Sequence, residues 1–549
     1  MQTFLTQYWV ELIRQRASKT RKADLTICLR PLMVVGLLAV LAACAAPQSY
    51  QSTESTAFRE LEAAEVFDVG FSSIRNRALQ AVPHRVFALE GLRGLAAIEP
   101  ALTVARGKTA ISIMIDGDVV AEGDLPIGDD SKAWAALVSR LIIETSRVSG
   151  DLRRAPAERI FETVFDGALA ELDIYSRYAG ADEARRNRAK RDGFGGIGIR
   201  FKRDSKAIIV TNVTPETPAS HAGLKTGDRI VRIGETPVSG MALNTIVNLL
   251  RGPIGSTIDV QFKPKDGDLR TESLFRAHIV QQTVVERRAD GIVFFRIESF
   301  NQDTARSLAT ALHDAQATLG PKLRGAVLDL RGNPGGLLRQ SVQVADVFLD
   351  NGRIISTRGR HPESHQVYDA ETRDESGGLP LVVLVDGKSA SAAEIVASAL
   401  SDRQRAVVIG TSSYGKGTVQ TVIRLPNEGE LTLTWSRLIT PNGYTLHGTG
   451  VIPVVCTSKL DDSLSVAAQS KALESAAHQR FVDHQPEMLS LAAATSRMDR
   501  LHALRSACPS QRRNRNLELQ MARHLLENPD LYARLREGPA NTAEILPES

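Results

Sequence analysis

Residues 381–420 read LVVLVDGKSASAAEIVASALSDRQRAVVIGTSSYGKGTVQ, and the placement of one serine and one lysine in this stretch decides the fold. Leu381 to Val385 is a short apolar run, β-branched enough to be a strand buried on both faces. Asp386-Gly387 ends it, and Ser389-Ala390-Ser391 leads into a helical stretch from Ala392 to Leu400. A serine at that junction lies beside the free N–H groups and the positive end of a helix, where a developing oxyanion is stabilised. The small neighbours Ala390, Ala392 and Ala393 leave room for a substrate backbone. A second strand, Ala406 to Ile409, runs into Thr411-Ser412-Ser413-Tyr414-Gly415-Lys416-Gly417. A lysine between glycines at a strand end is pressed against other backbone, and burial lowers its pKa toward that of a neutral general base. Ser391 and Lys416 are 25 residues apart, about one strand-helix-strand unit, so the two are expected to line one crevice.

Gly410 to Lys416 imitates a phosphate loop, G-x-x-x-x-G-K, but Gly417 stands where a metal-binding Ser or Thr is needed. Thr418 to Leu425 is strand-like, so no helix N-terminus is offered to a phosphate, and a nucleotide site is not expected. Together with Asp329-Leu330-Arg331-Gly332-Asn333-Pro334-Gly335-Gly336, the segments Ser389 to Ile395 and Tyr414 to Gly417 form three motifs in chain order. They resemble the C-terminal processing (tail-specific) serine peptidases, the S41 family, over roughly residues 165–456. The resemblance implies Ser391 as nucleophile, Lys416 as base and Gln420 as the residue that orients the lysine. It places the oxyanion donors at the amides of Ala392 and of the Gly335-Gly336 turn. It also implies a ClpP/crotonase-like α/β peptidase core and no cofactor. Asp329 and Arg331 are read as bracing their turn, and Asp402 as structural.

In chain order, 549 residues allow three or four units. Residues 1–43 read as an export signal: a long basic segment, then an apolar run from Pro31 to Ala43 too short to span a bilayer. Leu41-Ala42-Ala43-Cys44 resembles the bacterial lipobox, which implies lipidation at Cys44, and Ala45 in place of Asp resembles lipoproteins sorted to the outer membrane. The anchor is then lipid, and the compartment the periplasm. Six basic and two acidic residues in this leader account for the whole net charge of +4. The remainder is neutral and shows no basic cluster interleaved with aromatics, so nucleic acid is not an expected partner. Of the four cysteines, Cys456 and Cys508 remain once Cys28 and Cys44 are set aside; an oxidising periplasm would permit their pairing, which the sequence leaves open. Residues 44–56 read as a tether.

Residues 57–192 form an N-terminal mixed unit, with helical patterns at Phe58 to Leu79, Ser131 to Arg147 and Pro156 to Leu172 and strands at Leu102 to Val104 and Ala110 to Ile115. Leu172-Asp173-Ile174-Tyr175-Ser176-Arg177-Tyr178 resembles the family's L-D-P-H-S-x-Y with Ile and Tyr replacing Pro and His, which leaves the local turn open. The charged run Asp182 to Asp192 reads as a solvated linker. Residues 193–275 open with Gly193-Phe194-Gly195-Gly196-Ile197-Gly198-Ile199. No strand-then-helix follows, so this is not a nucleotide fingerprint. It fits the carboxylate-binding loop of a PDZ domain, with the amides around Gly195, Gly196, Ile197 and Gly198 forming a nest and the next strand accepting a peptide by β-addition. Leu243 to Leu250 would wall that groove.

Residues 276–456 make the peptidase domain, in which Gly335-Gly336, Ser391 and Lys416 each follow the C-terminal end of a strand, the edge where α/β sites form. His447 is the rival base, but a Ser-His-Asp arrangement would not need a glycine-flanked lysine. His361 and His365 flank Pro362 and lack a third ligand, so no metal is expected. Arg358 to Gly378 reads as a polar flap over the cleft. Residues 457–549 have helical periodicity and stand as a dimerisation arm, a partner-docking surface or a packed cap. The expected architecture is multidomain α/β and α+β: a PDZ domain beside a serine peptidase core, with N-terminal mixed and C-terminal helical regions. The expected function is a lipid-anchored periplasmic serine endopeptidase that recognises proteins by apolar C-terminal tails. An adaptor protein and a homo-oligomer stay open as partners. The alternative is a catalytically silent PDZ scaffold that collects protein C-termini at the outer membrane.

Overall fold

Leu381–Val385 is buried at all five positions, as an unbroken apolar run requires of a strand covered on both faces. The computed structural model describes residues 58–537, apart from 205–206, 372, 459, 461–462, 484–498, 500–501, 504 and 512–515. The segments expected as export signal and tether, with Cys44, lie outside the described residues. The N-terminal unit comprises helices α1 (Glu60–Arg77), α2 (His84–Gly94), α3 (Ser131–Val148) and α4 (Ala157–Ala170). Between α2 and α3 runs an antiparallel sheet of β1 (Leu102–Arg106), β2 (Ala110–Ile115) and β3 (Asp118–Asp124). Phe67, Phe71, Phe87 and Phe165 form its aromatic core, and that core continues into Leu425, Leu431 and Leu433 of the peptidase domain. The unit therefore has no independent floor: part of its apolar face is covered by the next domain's strands.

A short strand, β4 (Arg177–Ala179), precedes α5 (Ala181–Asp192). The run expected as a solvated linker is this helix. Arg188 and Arg191 both reach the buried carboxylate of Glu430, at 3.0 and 2.9 Å, so the run is anchored by charge pairing that its own composition does not disclose. The PDZ region follows: β5 (Phe194–Gly196), β6 (Ile199–Asp204), β7 (Ala207–Val213), β8 (Arg229–Ile233), α6 (Leu243–Leu250), β9 (Thr257–Lys263) and β10 (Arg270–Phe275). Strand order β10-β9-β8-β7-β6 leaves β6 at the edge, while Ile246 and Leu250 of α6 pack into the core with Ile197, Ile208 and Ile230. β5 pairs instead with β11 (Ala277–Ile279), which ties the start of the PDZ region to its end.

The peptidase domain is built on β12 (Val284–Ala289), β13 (Ile292–Ile297), α7 (Thr304–Leu319), β14 (Gly325–Asp329) and α8 (Leu338–Asp346). It continues through β15 (Arg353–Gly359), β16 (Gln366–Asp369), β17 (Leu381–Val385), α9 (Ala392–Asp402), β18 (Val407–Gly410), β19 (Thr418–Arg424), β20 (Glu430–Ile439) and β21 (Val455–Cys456). The central sheet has the order β12-β13-β14-β17-β18-β21, parallel except for its first pair. Because successive side chains point to opposite faces, each buried run serves two cores. Val293, Phe295, Ala326, Leu328, Val383 and Val408 face Leu308, Leu312, Val344 and Val396 of α7, α8 and α9. Phe294, Val327, Val382, Leu384, Val407 and Ile409 face the other way, onto C-terminal helices. A second sheet, β16-β15-β20-β19 with β4 on β20, flanks the site.

The C-terminal region contains α10 (Val466–Asp483), α11 (Asn516–Leu526) and α12 (Pro529–Glu537). Leu517, Met521, Leu525 and Leu535 pack on the second face of the central sheet, and the Tyr532 hydroxyl bonds the backbone of Leu381. Of the three readings open for this region, the packed cap describes these helices. The expected flap at Arg358 to Gly378 is also corrected: β15, a 3-10 turn at Pro362–Ser364 and β16 form a hairpin within the second sheet. Arg360 fastens it by donating to the carbonyls of Ala78 and Arg75 at the end of α1. Leu525 is fully buried against the sheet, so Leu525→Ala should cost about 2–5 kcal/mol in chemical denaturation. A loss under about 1 kcal/mol would show that the cap is not an integral layer.

Candidate active site

β17 ends at Val385, and the turn after it is held by Asp386, whose carboxylate accepts from the amides of Lys388, Ser389 and Gly332. One side chain thereby joins the loop after β17 to the loop after β14. The Ser389 hydroxyl donates to the Leu330 carbonyl at 2.8 Å, and the Ala390 amide donates to the Asn333 carbonyl at 3.0 Å. Ser391 follows with φ +54° and ψ −113°, a conformation that costs free energy in any residue with a Cβ. Ser391 is half-buried and stands at the N-cap of α9. Gly335 closes over it: a Cβ there would lie 2.9 Å from Ser391 Cβ and 3.1 Å from Ala392 N. At Gly336, a Cβ would meet the Phe300 carbonyl oxygen at 2.1 Å, so this turn must be glycine.

The two glycine amides differ. Gly335 N–H donates to Asn333 Oδ1 at 2.8 Å and is engaged. The amides of Gly336 and Ala392 have no acceptor among the described residues. Asp329 and Arg331 brace the approach to this turn: Arg331 Nε and Nη2 bind Asp329 at 2.8 Å each, and Nη1 binds Glu518 of α11 at 3.1 Å.

The lysine loop is joined to Ser391 by a residue that carries no role in the sequence analysis above. Glu394 is fully buried, and its carboxylate accepts from Ser391 N–H at 2.7 Å and Lys416 N–H at 2.9 Å on one oxygen. The other oxygen accepts from Gly415 N–H at 2.6 Å and the Ser413 hydroxyl at 2.5 Å. Burial pushes this carboxyl up, while the four donors pull it back down. The capping-box position, three residues after the serine, was the available signal for it. Tyr414 N–H also donates to the Ser389 carbonyl at 3.0 Å.

Lys416 is half-buried, and burial together with the nearby Arg177 guanidinium lowers its pKa, against the opposing charges of Asp173 and Glu394. Its Nζ stands 4.8 Å from the centroid of the Tyr175 ring. Burial and the neighbouring Tyr414 hydroxyl push Tyr175 up to about 12. The turn left open by the replacement of Pro by Ile174 is held by Asp173, which accepts from Tyr175 N–H, Ser176 N–H and the Thr434 hydroxyl. The N-terminal unit thus delivers Tyr175 and Asp173 to the peptidase centre. A cleft of about 300 Å³ opens alongside, lined by Leu79, Leu172, Tyr175, Thr418, Arg437 and His447.

Gln420 lies on β19 close to the loop, but its amide group donates to Thr418 and Thr434 hydroxyls at 3.0 and 3.3 Å rather than bonding Lys416. Asp402 accepts from the Asn442 amide, a structural contact. His447 is exposed at the cleft. In the PDZ region, Gly195 and Gly196 lie in β5, Ile197 is buried and Gly198 turns the chain into the edge strand β6. The Arg251 guanidinium at the end of α6 lies 3.9 Å from the Phe194 ring centroid, beside that loop.

A strained serine at the start of a helix, facing unengaged amides and sharing a carboxylate with a lysine of lowered pKa, is suited to nucleophilic acyl transfer. Residues 291–456 match the model of peptidase family S41, and residues 195–273 match that of a PDZ domain. The carboxy-terminal-processing protease of Bartonella bacilliformis is 40% identical over 299 residues, 54% of this chain and 69% of that protein. The carboxy-terminal processing protease CtpA of Bacillus subtilis is 32% identical over 301 residues, 54% of this chain and 64% of that protein. A solved structure of a photosystem II D1 C-terminal processing protease aligns over 67% of this chain and 92% of its own at 25% identity, with a TM-score of 0.33. The chain belongs to peptidase family S41: it is a serine peptidase with a PDZ domain.

Glu394→Gln replaces an acceptor oxygen with an NH2 and leaves buried donors unpaired, at about 1–3 kcal/mol, so kcat/KM should fall about 5- to 150-fold. Activity within threefold of the parent would remove Glu394 from the positioning role. With Lys416 as base its neutral form is the active one, and the expected outcome is activity that rises with pH, on a limb below the ordinary lysine range. The Tyr175 ring favours the charged ammonium, so Tyr175→Leu, which keeps the site apolar, should move that limb down by about half a pH unit. An unmoved or raised limb in the pH profile would contradict this.

Proposed function

We propose that the protein is a periplasmic serine endopeptidase, held to the outer membrane by a lipid on Cys44, that cleaves proteins presented by their C-terminal tails. The observation that carries the catalytic part is the shared Glu394 carboxylate, which accepts from both Ser391 and Lys416 amides at 2.7 and 2.9 Å. In this mechanism Ser391 Oγ attacks the scissile carbonyl carbon while Lys416 Nζ takes its proton. The tetrahedral oxyanion is held by the amides of Gly336 and Ala392. Collapse breaks the C–N bond, and the Lys416 ammonium returns its proton to the leaving amine. Neutral Lys416 then draws a proton from water, which hydrolyses the acyl-enzyme. Gln420 takes no direct part: its amide group holds the Thr418 and Thr434 hydroxyls beside the lysine loop.

Substrate selection is assigned to the PDZ region. The edge position of β6 supports β-addition of an extended peptide, and the loop Gly195 to Gly198 receives its terminal carboxylate. The apolar wall of α6 favours uncharged tails. Membrane attachment rests on Leu41-Ala42-Ala43-Cys44. Cys44→Ala should shift the protein from the membrane to the soluble periplasmic fraction, and an unchanged distribution would dismiss the lipid anchor.

The purified protein should cleave an unfolded substrate ending in apolar residues, and Ser391→Ala and Lys416→Ala should each lower kcat by at least about a thousandfold. Cleavage that survives Lys416→Ala would move the base to His447. Tail binding without cleavage by the parent would favour the silent scaffold.

A further inference from the structure

Residues 505–511 lie beyond the segment matched to the peptidase family, yet they touch both loops that carry the candidate dyad. Arg505 Nη1 donates to the Thr449 carbonyl at 2.5 Å and Nη2 to the Tyr414 carbonyl at 3.2 Å, two residues before Lys416. The same guanidinium lies near Glu394: a Cβ built on Gly450 would lie 2.9 Å from Arg505 Nη1 and 3.1 Å from Glu394 Oε1. A positive charge therefore stands beside the buried carboxylate on which the two loops meet, and Glu394 in turn opposes the fall in Arg505 pKa caused by burial. Further along, the Gln511 carbonyl accepts from Gly387 N–H at 2.8 Å, in the turn that precedes Ser391. Gln511 also exchanges hydrogen bonds with the Thr411 hydroxyl, at 3.2 Å each, where the lysine loop begins.

Between Arg505 and Gln511 stands Cys508, bonded to Cys456 across a separation of 52 residues. Cys456 is the partner of Gly410 in the sheet, and Gly410 is the last residue of β18 before the lysine loop. The disulfide therefore fixes the segment to the strand from whose neighbour Lys416 departs. Such a short segment makes few apolar contacts of its own, so its register on the loops depends on a covalent tie.

We propose that residues 505–511 are a disulfide-held brace of the catalytic loops, with Arg505 as a positioning residue that sets the Lys416 loop and offsets the charge of Glu394. The kinetic part rests on the peptidase reading above; the structural part does not. Reduction by dithiothreitol transfers two electrons and two protons to the disulfide, leaves two thiols and closes the reagent's own ring. It releases the brace while leaving every residue in place.

The test uses the full chain, oxidised and reduced, beside Arg505→Met, Arg505→Lys and Cys508→Ala. Two quantities are read: amide hydrogen exchange of peptides covering residues 386–391 and 411–417, and kcat and KM separately on a tailed substrate. Losing hydrogen bonds from a charged donor should speed exchange in these peptides and lower kcat by about tenfold or more, with KM within twofold. This is expected in reduced protein, Arg505→Met and Cys508→Ala. Arg505→Lys should recover part of both, and exchange in β7 and β8 of the PDZ region should not change. The inference is overturned if exchange at 411–417 is unaltered by reduction and by Arg505→Met. Faster exchange there in a protein that cleaves nothing in any form would uphold the brace and dismiss the peptidase reading.

Discussion

The buried carboxylate of Glu394 is the constraint on which the site depends. Two loops after different strands must present a serine and a lysine to the same space, and neither loop has regular structure to hold it. A fully buried acceptor with four donors solves this, because each donor left without it would carry a desolvation penalty. The same carboxylate opposes the fall in Lys416 pKa, so it both positions that lysine and limits how readily it becomes neutral. Asp386 does the corresponding work between the serine loop and the glycine turn, through Gly332. The site is thus a set of irregular backbone segments stitched by two acidic side chains, with strain concentrated at Ser391 and close approach at Gly335 and Gly336.

Around it, the central sheet distributes burial to two faces, and this explains why regions far apart in sequence are structurally inseparable from the site. One face of β13, β14, β17 and β18 is covered by the intervening helices, as consecutive strand-helix units require. The other face has no local partner, and α11 and α12 supply it from the end of the chain. The N-terminal unit has the complementary need: its aromatic core is completed by Leu425, Leu431 and Leu433, and the contact brings Tyr175 and Asp173 over Lys416. Glu430, buried beneath Arg188 and Arg191, fixes the connecting helix against the same sheet.

Much of this was legible before any coordinates. The helices at 60–77, 131–148 and 157–170 and the strand at 110–115 lie within a few residues of their expected places, because each has a clear period. The helix at 84–94 and the strand at 118–124 went unread: both mix exposed and buried residues over short spans. The charged run at 182–192 was misread because charge density signals solvent unless the partner is known, and Glu430 lies more than two hundred residues away. The flap expected at Arg358 to Gly378 was misread for a similar reason, since the polar strand β16 is held by pairing with β15, whose Ile354 and Ile355 are buried in the core.

What the sequence determined by itself is the identity of the parts: a buried strand before a helix places Ser391, glycines flank Lys416, and the apolar runs select the sheet. These are local facts, set by periodicity, steric freedom and the chemistry of helix ends. Only the tertiary structure decided how the parts are held. That Glu394 joins both loops, that Gly336 rather than Gly335 keeps an unengaged amide, that Tyr175 lies on the lysine and that Cys456 meets Cys508 each depend on residues brought together from distant positions. The physical reason is that burial and hydrogen-bond satisfaction are properties of the assembled interior, and a buried polar group takes its role from whichever donors the fold delivers to it.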